Sequence, residues 1–250
     1  MITDSVKIAK SASIDESVSI GEGTEIGEGV VIRKGVSIGK NCKIYPYAVI
    51  GEDPQDYSFH GEESFVKIGD NNRIREFVTI NKAVGEGEST ELGDNNYLMA
   101  YSHVAHNAKI HNNVTIANSV QLAGHTIIED FVNIGGLTAI HQGCRVGKLA
   151  MVSGMSATNK DLLPYFMFGL TPAIAATINR HGLKKHGADN DAMNEIFKAF
   201  KIIYRSGVSL PQVIEKLKVE NFKSAEVKYL ISFLSDSKRG IKLGRSAVRV

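Results

Sequence analysis

An aliphatic residue returns at every sixth position of this chain, from Ile2 through Ile8, Ile14, Ile20, Ile26, Ile32, Ile38 and Ile44 to Ile50. The series resumes in phase at Ile68, Ile74 and Ile80. It runs again from Leu92 through Leu98, Val104, Ile110, Ile116, Leu122, Ile128, Ile134, Ile140 and Val146 to Val152. A small or β-branched residue often follows four positions later, as at Val18, Thr24, Val30, Cys42, Ala48, Val114 and Thr138. Neither the helical period nor plain strand alternation repeats at six. A parallel β-helix of hexapeptide repeats does, with three short strands to a coil. Residues one coil, or about eighteen positions, apart then stack at roughly the 4.8 Å spacing of any sheet.

The pattern predicts a mainly β protein, with a β-helix over residues 1–187 and a small α-helical domain over 188–250. Two stretches keep the phase but lose the aliphatic, with Asp56 and Glu62 in register in the first and Glu86 in the second. A carboxylate cannot replace isoleucine in a dry interior, so external loops are expected near 51–67 and 81–91, where function tends to sit. The repeat fades after Val152, and an irregular or extended crossover is expected over 159–187. Three helices follow. Asp189 or Asp191 caps the first, Ser209 the second with Pro211 in its first turn, and Ser224 the third.

Composition narrows the picture. No apolar run approaches the length of a membrane span, and the N-terminus lacks the apolar stretch of a signal peptide. Cys42 and Cys144 both fall on the small inward position, as packing in a reduced, cytoplasmic protein rather than a disulfide or metal pair. Net charge is +2. It is uneven, because residues 180–250 hold fifteen Lys/Arg against seven Asp/Glu. A basic tail on an acidic body suits an acidic partner, or simply solvates helix faces. Nucleic acid is not expected, since no Arg/aromatic interleaving accompanies the charge.

Histidine is clustered. His103 and His106 lie three apart, with His125 and His141 one and two coils on. Position 106 stacks with Gly124 and then Gln142, which brings these residues to one external edge where packing does not explain them. Polar surface histidines at turns are the bland alternative. A metal would need about three convergent nitrogens at roughly 2 Å, and the spacing does not suggest it. A general base beside a backbone N–H is the better use: His106 takes a proton, and the Gly124 N–H meets an oxyanion. Glycine at 124 would let a substrate carbonyl approach the backbone. Acyl transfer needs that combination.

The segments Ile-Gly-Asp-Asn-Asn-Arg-Ile-Arg-Glu (68–76), His-Val-Ala-His (103–106), Leu-Ala-Gly-His (122–125), Ile-Gly-Gly-Leu-Thr-Ala-Ile-His-Gln (134–142), Gly-Leu-Lys (182–184) and Ile-Tyr-Arg-Ser-Gly (203–207) resemble one family. It is the acyl-carrier-protein-dependent UDP-N-acetylglucosamine O-acyltransferases of lipid A biosynthesis. The resemblance covers nearly the whole chain. It implies a left-handed β-helix, a homotrimer with sites between subunits, and no cofactor beyond the phosphopantetheine carried by the acyl carrier protein. It implies that His106 is the general base and Gly124 the oxyanion donor. His103, His125 and His141 would hold the acyl-phosphopantetheine and the sugar nucleotide, and Asp56 would contact the acceptor sugar. Gln142, Asn179 and Lys185 would handle the nucleotide or its phosphates, and Gly154 would set acyl-chain length. Lys198, Lys201 and Arg205 are candidates for carrier-protein contact, with Lys216, Lys218, Lys223, Lys228, Lys238 and Arg239 further along.

The chain departs from the family pattern at several positions. Asn107 stands where the family places Asp after its catalytic His. Ser58, Asn81 and His181 replace a lysine, a histidine and a glutamate. Asn107 can fix a tautomer but supplies no charge, and His followed by Asn suits an N-acyltransferase acting on a UDP-amino sugar. A non-catalytic paralogue that binds nucleotide sugar or carrier protein is the third reading.

Overall fold

A computed structural model describes residues 2–243, so the last seven residues of the expected 188–250 domain lie outside the described residues. Among those described, three sheets of ten, eight and seven strands form the faces of a prism, parallel throughout except for the last pair of the ten-stranded sheet. Most strands are two residues long, and their hexad isoleucines point inward: Ile20, Ile32, Ile44, Ile50, Ile74 and Ile110 are almost wholly buried. The small partner residues Val18, Val30, Cys42, Ala48 and Val114 fill the corners and are buried too.

The two loops explain why the phase survives them. Strands pair eighteen residues apart over most of the prism, as Tyr97 with Thr115. Lys43 instead pairs with Arg73 and Arg73 with Tyr97, so one coil carries two extra hexads and the next carries one. The excursions are residues 53–64, between strands Val49–Glu52 and Phe65–Ile68, and residues 82–88, between Thr79–Asn81 and Ser89–Leu92. They are shorter than the expected loops because Val66, Ile68, Thr90 and Leu92 still pack inward.

Each coil bends through a residue at positive φ, and many of these are not glycine. Asn41, Asn71, Asn95, Asn107, Asn113, His125 and Phe131 lie between 53° and 60°, where asparagine is tolerated best. The Asn and Gly that recur every sixth position mark this corner.

The repeat extends beyond Val152. Ala157–Thr158 adds a strand to the eight-stranded sheet, and Phe166–Gly169 joins the ten-stranded sheet. Phe166–Gly169 then pairs antiparallel with Ile174–Ile178, where an irregular or extended crossover was expected. The hairpin forms because Phe166, Phe168, Ala175 and Ile178 are all buried.

Helices begin before residue 188. The chain forms α1 (Arg180–Lys185), α2 (Asn190–Arg205), α3 (Leu210–Val219) and α4 (Ala225–Ser235). Asp189 is the cap of α2, accepting from the Ala192 N–H at 2.7 Å. Ser224 caps α4. Buried Glu129 ties α4 to the prism: it accepts from the Tyr229 hydroxyl at 2.6 Å and the Lys148 N–H at 2.8 Å.

Candidate active site

The strands His103–Val104, Gln121–Leu122, Ala139–Ile140 and Ala157–Thr158 stack in strict register on one face. A cleft of about 700 Å³ lies along them, lined by His103, His106, Gly124, His141, Gln142 and Thr158. Gln55 and Asp56 reach it from the 53–64 excursion, and Thr171 and Pro172 from the hairpin turn.

His106 is buried at the corner of its coil. Its Nδ1 lies 2.9 Å from the Asn107 Oδ1. The same oxygen accepts from the Val84 N–H at 2.9 Å, and the Asn107 Nδ2 donates to the Val84 carbonyl at 3.0 Å. Both ends of the carboxamide are thus fixed by the 82–88 excursion, and the atom facing His106 is an acceptor. His106 must carry its proton on Nδ1 and present Nε2 to the cleft. That Nε2 lies 3.3 Å from Asp56 Oδ2, so an acceptor group entering the cleft meets a base and a carboxylate together. The Ser58 hydroxyl and N–H, at 2.6 and 2.9 Å, hold Asp56 below the usual carboxylate range.

Gly124 has a second steric reason beside the one expected. A Cβ there would stand 2.3 Å from His106 Nε2 and 2.4 Å from Cε1, so the missing side chain makes room for the base itself. Its N–H donates to no acceptor among the described residues.

The other histidines differ in exposure. His103 Nδ1 is 2.7 Å from the Thr79 hydroxyl. Burial, with a smaller contribution from neighbouring His106, holds its imidazole below the usual histidine range. Exposed His125 stands edge-on to His106, with centroids 5.2 Å apart; desolvation, then His106, lowers it likewise.

Three expected site residues lie away from this cleft in the single chain. Gly154 is exposed on the next corner, against Gly136. Asn179 is buried as the N-cap of α1: its Oδ1 accepts from the Gly182 N–H and its Nδ2 donates to the Leu149 carbonyl. Lys185 is exposed on α1. Lys198, Lys201 and Arg205 follow the exposed side of α2, with Lys198 paired to Glu220. Gln55, Gln121, Asn159 and Thr171 join the cleft unforeseen. Their coil positions were readable for Gln121 and Asn159, whereas the loop residues had no signal in the repeat.

Residues 17–52 and 89–124 match the bacterial transferase hexapeptide model (six repeats), and residues 161–242 match domain 2 of UDP N-acetylglucosamine O-acyltransferase. The acyl-[acyl-carrier-protein]–UDP-N-acetylglucosamine O-acyltransferase of Gloeothece citriformis is 46% identical over 195 residues, 78% of this chain and 70% of that one. The chain belongs to this O-acyltransferase family. The Alkalilimnicola ehrlichii member is 40% identical over 196 residues, 78% of this chain and 76% of its own. Among solved O-acyltransferase structures, the UDP-N-acetylglucosamine acyltransferase of Campylobacter jejuni superposes with a TM-score of 0.85 at 34% identity, covering 98% of this chain and all of that one. The Bacteroides fragilis enzyme gives 0.83 at 38% identity, covering 97% and 100%.

Proposed function

We propose that this acyltransferase moves a fatty acyl group from acyl carrier protein to a hydroxyl of UDP-N-acetylglucosamine, the opening step of lipid A biosynthesis. The observation that carries the mechanism is the commitment of His106 Nδ1 to Asn107, which turns Nε2 toward the cleft and the Asp56 carboxylate. Nε2 takes the proton of the acceptor hydroxyl as its oxygen attacks the thioester carbonyl. The free Gly124 N–H meets the oxyanion of the tetrahedral intermediate. Collapse expels the phosphopantetheine thiolate, which takes the proton back from His106. The step balances without a metal or further cofactor.

Assembly as a homotrimer completes the cleft. Tyr47, Phe77 and Tyr101 are exposed on three successive coils along the corner beside the cleft face, and beyond Ser119 the same corner exposes Leu137 and Met155. The first three rings stack with centroids 5.3 and 5.0 Å apart. A ridge of this kind is what a second copy covers, and its copy can bring the positions of Gly154, Asn179 and Lys185 toward a neighbour's cleft. The carrier protein, an acidic domain, docks on the basic face of α2. Among the described residues no helix is long and apolar enough to cross a membrane, and a cytoplasmic location suits both substrates.

The test is product analysis with acyl carrier protein thioester and UDP-N-acetylglucosamine. An O-ester forms with the wild type, and His106→Ala loses about 10²–10⁴-fold in rate with its fold retained. A near-wild-type rate in His106→Ala removes the base. The uncharged Asn107 beside His106 favours one second reading, N-acylation of a UDP-amino sugar, because an amine needs less base assistance. Offering a 3-amino analogue in competition decides it: exclusive ester formation excludes the amide reaction.

A further inference from the structure

The chain turns back after α4 and places a guanidinium beside His141, which lines the cleft. Ser237 donates to Asp161 Oδ2 at 2.6 Å, and the Asp161 N–H donates to the Gly240 carbonyl at 2.9 Å. Lys160 Nζ donates to the Arg239 carbonyl at 3.0 Å. The other oxygen of Asp161 accepts from the Arg145 N–H at 2.8 Å, so the returning segment is fastened to the last coils of the prism. Gly240 makes the bend at φ 67°. Arg239 then lies across the Gly143 corner, with its Cδ 3.9 Å from where a Gly143 Cβ would be. One of its terminal nitrogens comes 3.1 Å from His141 Nδ1.

A guanidinium can only donate, so the His141 nitrogen that faces it must accept. The Gln142 carbonyl, 3.3 Å from the same nitrogen, would demand the opposite tautomer. Arg239 is the nearer of the two and carries the charge, so its contact prevails. We propose that Arg239 is a positioning residue that fixes the His141 tautomer, with Nδ1 accepting from the guanidinium and the proton on Nε2. His106 and His141 line the same cleft, 35 residues apart in sequence, and their neighbours set opposite tautomers. Asn107 makes His106 a proton acceptor toward the cleft, while Arg239 makes His141 a proton donor. His141 therefore hydrogen-bonds an oxygen of the bound substrate and does not compete for the acceptor proton.

This assignment rests on the acyl-transfer reading only for its kinetic arm. The closing experiment is side-chain ¹⁵N NMR of the full-length free protein at pH 8, with resonances assigned through His141→Gln. The wild type shows Nε2 protonated and Nδ1 bare at His141. Arg239→Met, which keeps length and loses every donor, gives a mixture of tautomers, and Arg239→Lys restores the wild-type pattern. Loss of one hydrogen bond's positioning raises KM for the UDP-sugar about 2- to 10-fold in Arg239→Met, with kcat little changed. A His141 ring protonated on Nδ1 in the wild type, or one whose tautomer is the same in Arg239→Met, overturns the proposal. If Arg239→Met does not fold, the wild-type spectrum and Arg239→Lys still decide it. Should the protein prove inactive on this substrate pair, the tautomer result stands or falls by itself.

Discussion

Gly124→Ala is the smallest substitution that separates the position of the base from its identity. The new methyl would lie 2.3 Å from His106 Nε2 and 2.4 Å from Cε1, against an ordinary carbon contact of about 3.5–4.0 Å. Neither side can yield easily. Gly124 belongs to a corner whose neighbouring strand, Gln121–Leu122, is paired on both sides. The imidazole is therefore expected to swing by about 1 Å, breaking its 2.9 Å hydrogen bond to Asn107. A displacement of that size near the reacting atoms costs about 10²-fold in rate. The assay is steady-state turnover of acyl carrier protein thioester with UDP-N-acetylglucosamine, repeated in a His106→Ala background. There the ring is gone and the methyl has room, so adding Gly124→Ala should cost almost nothing more. A single mutant at near-wild-type rate would refute the steric argument. A full second penalty on top of His106→Ala would assign Gly124 an effect that does not pass through the base.

Asn107→Asp supplies a charge beside His106 but turns a carboxylate oxygen toward the Val84 carbonyl, now at 3.0 Å from an amide donor; a loss of about 1–3 kcal/mol in chemical denaturation is expected, and unchanged stability would refute it. His103 and His125 are both held below the ordinary value, so the unfolded chain binds protons that the folded chain refuses. Stability should fall as pH drops from about 6.5 toward the lowered folded values and then level off; His103→Gln should shrink the fall in denaturation midpoint between pH 7.5 and 5.5, and an undiminished fall would refute the assignment. Lys201→Glu with Arg205→Glu should raise KM for acyl carrier protein several-fold at low salt and leave KM for the UDP-sugar alone, with the effect fading once the Debye length drops below about 8 Å. A flat salt profile would make α2 merely solvated surface.

The prism was legible because its burial is strictly periodic: one inward residue in six must be aliphatic, and the chain has no cheaper way to fill a dry interior. Stacking was legible for the same reason, so the sequence alone sets Gly124 and Gln142 against His106. What escaped were contacts that lie outside the repeat. Nothing in the repeat says that Phe166–Gly169 folds back against Ile174–Ile178, because a hairpin of buried Phe and Ile reads like an irregular apolar stretch. Arg239 was one basic residue among many, and it is the hydrogen bonds of Lys160, Asp161 and Gly240 that bring it to His141. The corner conformation was half-written: Asn and Gly recur at the bend, but His125 and Phe131 adopt the same positive φ with no signal of their own. Packing on neighbouring coils over-determines their backbone.

The two excursions show how a regular scaffold is made to hold an irregular site. Each is inserted as whole hexads, so the coils above and below keep their inward isoleucines and the prism is not disturbed. Each also delivers one constraint on the same imidazole. Residues 53–64 bring Asp56 to within 3.3 Å of His106 Nε2. Residues 82–88 bring the Val84 backbone to Asn107, which fixes the proton on Nδ1. The aliphatic residues missing from the repeat are thus missing for a chemical reason. A coil closed by eighteen residues could place His106 at its corner, but nothing in such a coil reaches across to choose its tautomer or to face its free nitrogen with a carboxylate.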